Sequence, residues 1–495
     1  MKIAPLLLAL CLAPACAQAP RKNEPIRLDS RNPHYFLYNG KTIALITSGE
    51  HYGSVINADF DYHKYLDTIQ ADGLNYTRLF GGTHLEVAGV SFGIKRNTLA
   101  PAAGRLILPW ARSSEAGYAN GGNKFDLDKW DPEFFRRLHE FLTEAQRRGI
   151  VVEISLFSSV YADPQWSQSP FNAANNVNQT DVTDYKKVNT LDNGRVLAFQ
   201  ERYVRKLVHE ANAHPNVIFE IQNEPWSDHP VLTDVVNPYL FPPARDQYPN
   251  SMEVADDASI AWQTRVAQWI TNEESTLPNK HLIAQCYSNF RLPVRTLIPG
   301  VSVVNFHYAY PEAVTLNYGL DKAIAYDETG FLGRSDDAYL RQAWNFMLSG
   351  GSTFDALDYS FTTASPDGTD HEPNGPGGGS PVLRKQLGIL QRFLSSFSLE
   401  SLSPNANVVV GAEGVTPHAL STPRGDYAIY LDGRGPSNLT LLLPAGRYKT
   451  EWLNPQTGSL TAGNEFSSDG KKMTISTPAF ENGIALRIAR VDLHQ

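Results

Sequence analysis

Along most of this 495-residue chain, short apolar stretches alternate with longer amphipathic ones, and the links between them are strongly unequal in length. Where an amphipathic stretch gives way to an apolar one the link is tight, as at Arg148-Gly149 and over 213–216. In the opposite direction the links run over about 81–130, 158–188, 225–257 and 361–380, far beyond the ~2–6 residues usual for such turns. The apolar runs predict strands over 43–47, 74–80, 150–157, 217–224, 282–287, 301–307, 323–328 and 353–359. Between them a 3.6-residue period predicts helices over 59–71, 131–148, 194–213, 258–275, 336–348 and 382–396. The second helix is the clearest. Asp131 and Pro132 open it, Phe134, Leu138, Phe141, Leu142 and Ala145 line one face, and Gly149 ends it. Eight strands in a β-then-α order predict an α/β chain whose parallel strands close into a (β/α)8 TIM barrel over 20–400. All the long links then gather at one rim, where barrels of this kind build their sites. An open doubly wound sheet would not need eight strands, and its glycine-rich dinucleotide turn is missing.

From about residue 404 the pattern changes to period two. Runs over 408–410, 427–431, 439–443, 448–453, 473–476 and 484–488 are separated by Gly and Pro turns, which predicts a small all-β sandwich over 401–495.

Bulk properties narrow the class of partner. At 42% hydrophobic and 19% charged the chain reads as a globular enzyme, neither disordered nor membrane-embedded. A net charge of -9 argues against nucleic acid, which would want clustered Lys and Arg. The N-terminus reads as an export signal over 1–19, with Lys2 before an apolar core at 6–12 and small residues at Ala13, Ala15, Ala17 and Ala19. Cleavage after Ala15 would leave Cys16 to carry a lipid anchor, whereas Ala17-Gln18-Ala19 is the rival site for soluble export. No stretch is long enough to span a bilayer. With Cys11 and Cys16 at the signal and Cys286 in an apolar strand, no disulfide framework is expected.

Two strand ends carry the chemistry. Residues Val217 to Trp226 read VIFEIQNEPW, an apolar run stopped by Pro225 directly after Glu224. Three strands later, Ile324 to Gly330 read IAYDETG, again a short apolar run ending in a glutamate, Glu328. A carboxylate at the C-terminal tip of a buried barrel strand packs poorly and catalyses well. Burial is expected to raise the pKa of Glu224, which suits an acid. Two such groups on one rim meet the needs of glycoside cleavage, namely one acid for the leaving oxygen and one carboxylate for the oxocarbenium-like centre.

On these two motifs the chain resembles clan A of the glycoside hydrolases, closest to the family 5 cellulase-like barrels, over roughly 35–398. The resemblance implies Glu224 as acid/base, Glu328 as nucleophile and Asn223 as donor to the sugar 2-hydroxyl. Leu74 to Arg78, reading LNYTR, resembles the strand-two segment whose Arg lies beside the nucleophile. Arg78 would hold Glu328 ionised. Strand six reads Asn305-Phe306-His307-Tyr308-Ala309-Tyr310, and the family pattern of His, any residue, Tyr meets Ala309 where the Tyr belongs. His307 and Tyr308 are the residues carried over there. The strand-eight Trp is replaced by Asp358-Tyr359. The C-terminal sandwich resembles the β-domains appended to many such barrels, which usually pack against them.

His51 and His84 follow strands one and two, placed to line the pocket or to sit in solvent. Trp110, Trp166 and Trp226 lie on the rim links, placed to stack on sugar rings or to pack the loops. No cofactor or metal is expected, because zinc, calcium and phosphate-loop spacings are all missing. The expected function is an exported retaining hydrolase of a β-type glycosidic bond in an oligo- or polysaccharide, with a carbohydrate as its expected substrate. A catalytically silent carbohydrate-binding barrel and a transglycosylase on the same site are the alternatives.

Overall fold

A computed structural model describes residues 24–233 and 252–491. The expected signal over 1–19 and Cys16 lie outside the described residues. Eight parallel strands are present: β1 Leu45–Gly49, β2 Tyr76–Phe80, β3 Val151–Ser158, β4 Val217–Asn223, β5 Leu282–Asn289, β6 Val301–His307, β7 Ala323–Glu328 and β8 Thr353–Leu357. They pair in the order β1-β8-β7-β6-β5-β4-β3-β2, a nearly closed barrel. Asn75 draws the remaining seam together. Its carboxamide accepts from the Ile46 N–H at 2.9 Å and donates to the Ala44 carbonyl at 2.8 Å, while its own N–H reaches the Ile46 carbonyl at 3.3 Å. One side chain thus supplies ladder-type hydrogen bonds where no strand ladder forms.

Helices α1 Tyr62–Ala71, α2 Pro132–Arg147, α3 Val196–Ala211, α4 Asp257–Ser275, α5 Pro311–Asn317, α6 Asp336–Met347 and α7 Pro381–Ser395 surround the strands. The β5–β6 link over 290–300 holds no helix. In α2 the Asp131 carboxylate accepts from the Glu133 N–H, and the expected apolar face, Phe134 to Ala145, is buried. Helix α1 starts three residues later than expected, because Asp61 caps it by accepting from the His63 and Lys64 N–H groups. The first barrel strand begins at Leu45, two residues late. Ile43 belongs instead to a three-stranded antiparallel sheet, Arg27–Asp29, Asn32–Tyr38 and Lys41–Ile43. That sheet plugs the barrel floor, with Ile26, Phe36 and Tyr38 packed on Tyr76, Val151, Ile218, Ala284, Val303 and Ala325.

Above this apolar floor the barrel interior turns polar. Arg78, Glu153, Glu220, Asn305, Asp327 and Asp355 are all buried there. Arg78 forms ion pairs with Glu220 at 2.6 Å, Asp327 at 3.4 Å and Glu328 at 3.3 Å. Burial largely dominates Glu153, with the nearby Glu220 charge adding, and pushes its carboxyl up to about 8.

The C-terminal part is a β-sandwich of antiparallel sheets. Six strands, in the order Ser403–Pro404, Val415–Ser421, Tyr427–Gly433, Ile484–Arg490, Gly446–Leu453 and Leu460–Ser468, form one sheet. Val409–Ala412, Asn438–Leu442 and Lys472–Ser476 form the other. Alternate residues of the central strand point opposite ways. Tyr427, Ile429 and Leu431 enter the sandwich core, whereas Ala428 and Tyr430 join the barrel core. Tyr430 stacks on Trp344 of α6 at 5.3 Å, and Arg341 pairs with Asp432 through two nitrogens at 2.9 and 3.0 Å. Among the described residues no helix is long and apolar enough to cross a membrane.

Candidate active site

The ends of β4, β6 and β7 converge at the C-terminal rim. Glu224 directly follows β4 and has φ +47°, in the left-handed region that non-glycine residues avoid. Tyr308, directly after β6, has φ +50°, and Tyr52 after β1 has φ +65°. Such conformations cost about 1–3 kcal/mol each and persist where surrounding bonds hold them. Ser159 donates to the Glu224 carbonyl at 2.6 Å, the Ser227 N–H does so at 2.8 Å, and the Tyr308 N–H reaches the Glu328 carbonyl at 3.0 Å. A register irregularity between Phe306 and His307 pairs His307 with Glu328 instead of Asp327. The bulge turns adjacent carboxylates to different tasks, Asp327 into the barrel and Glu328 into the pocket.

The two glutamates share two partners, Tyr308 and His307. The Tyr308 hydroxyl lies 3.2 Å from Glu224 Oε1 and 3.1 Å from Glu328 Oε1. His307 Nδ1 is 2.9 Å from Glu224 Oε1 and 3.6 Å from Glu328 Oε1. A carboxylate oxygen of each glutamate and a nitrogen of His307 all lie within 4.8 Å of one another. Glu328 also receives Arg78 and the Tyr52 hydroxyl, each at 3.3 Å. These groups have the donor types of a metal site, but Arg78 already supplies positive charge beside them.

The electrostatics of the site run opposite to the expected division. Burial pushes Glu224 up, but the hydrogen bond and charge of His307 outweigh it and hold the carboxyl below its ordinary value. Burial also pushes Glu328 up; there His307 and Arg78 oppose it less than burial and the Glu224 charge support it, so the carboxyl stays raised. His307 itself is raised well above an ordinary imidazole despite its burial, by the surrounding Glu328 and Asp327 carboxylates. Glu224 and Glu328 share a tyrosine and a histidine, so their protonation belongs to the pair.

The other expected residues divide. Asn223 lines the pocket, with its amide nitrogen 2.9 Å from the Tyr161 hydroxyl and its oxygen taking Arg78 at 3.0 Å. His51 and His84 also line it. Trp110 does not: it is fully buried against Phe171 and Tyr203, so no sugar reaches its face. Trp166 sits in the same core, and Trp226 is spent on an edge contact with His307 at 5.5 Å. Large aromatic rings on long loops were needed to give those loops a core. The aromatic wall consists of Tyr52, Phe80, Phe92, Tyr161, Tyr308 and Phe331 instead, joined by Glu86. Of these the sequence signalled only Tyr308. Cys286 is a buried free thiol pushed well up by burial.

No family model matches the chain, and no curated protein matches its sequence. Solved structures do share its fold. A Bacteroides vulgatus protein described as a candidate glycoside hydrolase superposes with TM-score 0.64 at 15% identity, covering 96% of this chain and 84% of that one. A glycoside hydrolase family 5 protein from the same organism gives 0.60 at 12% identity, covering 95% and 94%. A third structure, a glycoside hydrolase, gives 0.62 at 12% identity, covering 96% and 98%. The chain is thus similar in fold to glycoside hydrolase family 5 proteins along nearly its whole described length.

Proposed function

We propose that this chain is a retaining glycoside hydrolase acting on a β-type glycosidic bond in an oligo- or polysaccharide. The observation that carries the reading is the carboxyl pair bridged by Tyr308, with oxygens of both groups inside 4.8 Å. Retaining enzymes hold their carboxyls about 5–5.5 Å apart, and inverting ones about 6.5–9.5 Å to admit a water. In the first step Glu328 attacks the anomeric carbon, the bond to the leaving oxygen breaks, and Glu224 protonates that oxygen. In the second, Glu224 takes a proton from water, the water oxygen bonds to the anomeric carbon, and Glu328 leaves as carboxylate. The first step needs one proton on the pair, residing on Glu224. Glu328 is raised and Glu224 lowered, the reverse of the order the first step needs, so the arriving sugar has to invert it. The Tyr308 hydroxyl lies in reach of both carboxylates.

Glu328→Ala should abolish turnover, and a 2-fluoro sugar should label Glu328. Glu224→Gln should nearly abolish cleavage of a poor leaving group while sparing glycosylation by a dinitrophenyl glycoside, with azide restoring turnover. Labelling elsewhere, or an inverted product by NMR in the first minutes, rejects the two-step mechanism. Export is part of the proposal, and intact-mass analysis of mature protein from a native-type host tests it.

A further inference from the structure

One end of the catalytic pocket is built around a carboxylate that the hydrolytic steps do not use. Glu86 lines the pocket and is buried. Its carboxylate takes His51 Nε2 at 3.0 Å, the Asn97 amide at 2.5 Å and His84 Nε2 at 3.5 Å. Burial pushes Glu86 up, but the charge and hydrogen bond of His51 and the bond from His84 outweigh it, so it stays ionised below the usual carboxylate range. A carboxylate accepts at about four positions, so three donors leave it unsaturated. Beside it, His51 Nδ1 and the Tyr359 hydroxyl are buried without a hydrogen-bond partner among the described residues, and their rings are 6.1 Å apart.

The wall behind Glu86 is fixed. The Glu86 N–H bonds the Leu99 carbonyl at 3.0 Å, Thr98 donates to Glu50 at 2.6 Å, and Asn57 holds the Thr98 carbonyl at 3.0 Å. Around the mouth, four rings make a continuous collar. Tyr161 meets Phe92 at 5.2 Å, Phe92 meets Phe331 at 6.1 Å, and Phe331 meets Tyr308 at 5.7 Å. Phe92 comes from the β2 link and Phe331 from the β7 link, so their contact joins links three strands apart on the rim. An enzyme that cuts inside a chain needs a groove open at both ends, and this pocket has a wall and a collar instead.

We propose that the pocket is closed at its glycone end and takes a single non-reducing terminal sugar, whose ring hydroxyls are received by Glu86 together with His51 and His84. This rests on the glycosidase reading above. The leaving group must depart beside its proton donor, Glu224, on the β4–β6 side. Glu86 follows β2 and bonds His51, which follows β1 and stacks on Tyr52 at 5.7 Å, the residue bonded to Glu328; this β1–β2 side is where the proposal seats the retained sugar.

The test begins with 2,4-dinitrophenyl β-glycosides of the common hexoses and pentoses. If none reacts and the 2-fluoro sugars leave Glu328 unlabelled, the glycosidase reading itself falls. With a reactive sugar in hand, its reducing-end-tagged oligosaccharide should lose one untagged residue at a time. Internal fragments appearing first would overturn the proposal and leave the hydrolase reading standing. Glu86→Ala should lower kcat/KM roughly 10- to 100-fold, the range expected for a hydrogen bond to a charged group. One of the 3-, 4- or 6-deoxy glycosides should be hydrolysed equally by Glu86→Ala and the parent protein. Equal losses on every deoxy sugar would mean that Glu86 only props the wall. Glu86→Gln, which keeps an acceptor oxygen and the Asn97 contact, reads the same comparison if the alanine variant does not fold.

Discussion

Tyr308 occupies the position where the strand-six pattern and the chain disagree by one residue. Its left-handed backbone swings the side chain back over the rim, so the hydroxyl meets both glutamates one position earlier than the pattern expects. Tyr308→Phe removes the hydroxyl bridge and leaves His307 as the group the two carboxyls share. Its kcat on a poor leaving group should fall about 100-fold or more, with a smaller loss on a dinitrophenyl glycoside, because only the former needs the proton on Glu224. Equal losses on both substrates would assign Tyr308 to sugar binding. Glu224, Glu328 and Arg78 were legible in the sequence because each lies on, or directly after, an apolar strand that carries it to the rim or the barrel interior. Glu86 and Tyr161 were not, because each lies in a link whose path is set by contacts with other links. Trp110 and Trp166 misled for the same reason.

Among the elements, the eight strands and most barrel helices follow from hydrophobic period, while the floor sheet and the loop hairpins do not. Trp110–Ala116 and Asn123–Trp130 pair antiparallel within the first long link, yet their outer residues are exposed and leave little apolar alternation to read. What fixes that link is close approach to the turn after β1. A Cβ on Gly53 would lie 2.3 Å from the carbonyl carbon and oxygen of Thr98, backbone that cannot yield locally. Gly53→Ala should therefore push residues 97–99 outward and carry Glu86 with them. We expect a raised KM and a stability loss of about 1–3 kcal/mol by urea unfolding, the usual penalty of overpacking. Unchanged KM with lowered stability would separate this contact from the pocket.

On the scale of the whole molecule, the polar barrel interior makes stability depend on pH. Glu153, pushed up to about 8 in the fold, binds its proton more tightly than an unfolded glutamate near 4.5. Its contribution is complete below about pH 4.5 and is lost as pH rises toward 8, at about 1.4 kcal/mol per unit. Glu153→Gln keeps groups for Tyr76 at 3.0 Å and Asn305 at 2.7 Å and carries no proton to lose. Urea unfolding at pH 5.5, 6.5 and 7.5 should show a flatter decline for the variant by about that slope. A parallel decline would mean that Glu153 is ionised throughout. The larger sandwich sheet has a different consequence. Both of its faces are already occupied, one by the smaller sheet and one by α6 and α7, and only residues 396–402 join it to the barrel. A module held this way is not a bead on a string. It cannot be traded between enzymes without rebuilding the barrel helices beneath it, and any ligand it binds is left with the outer sheet and the edges.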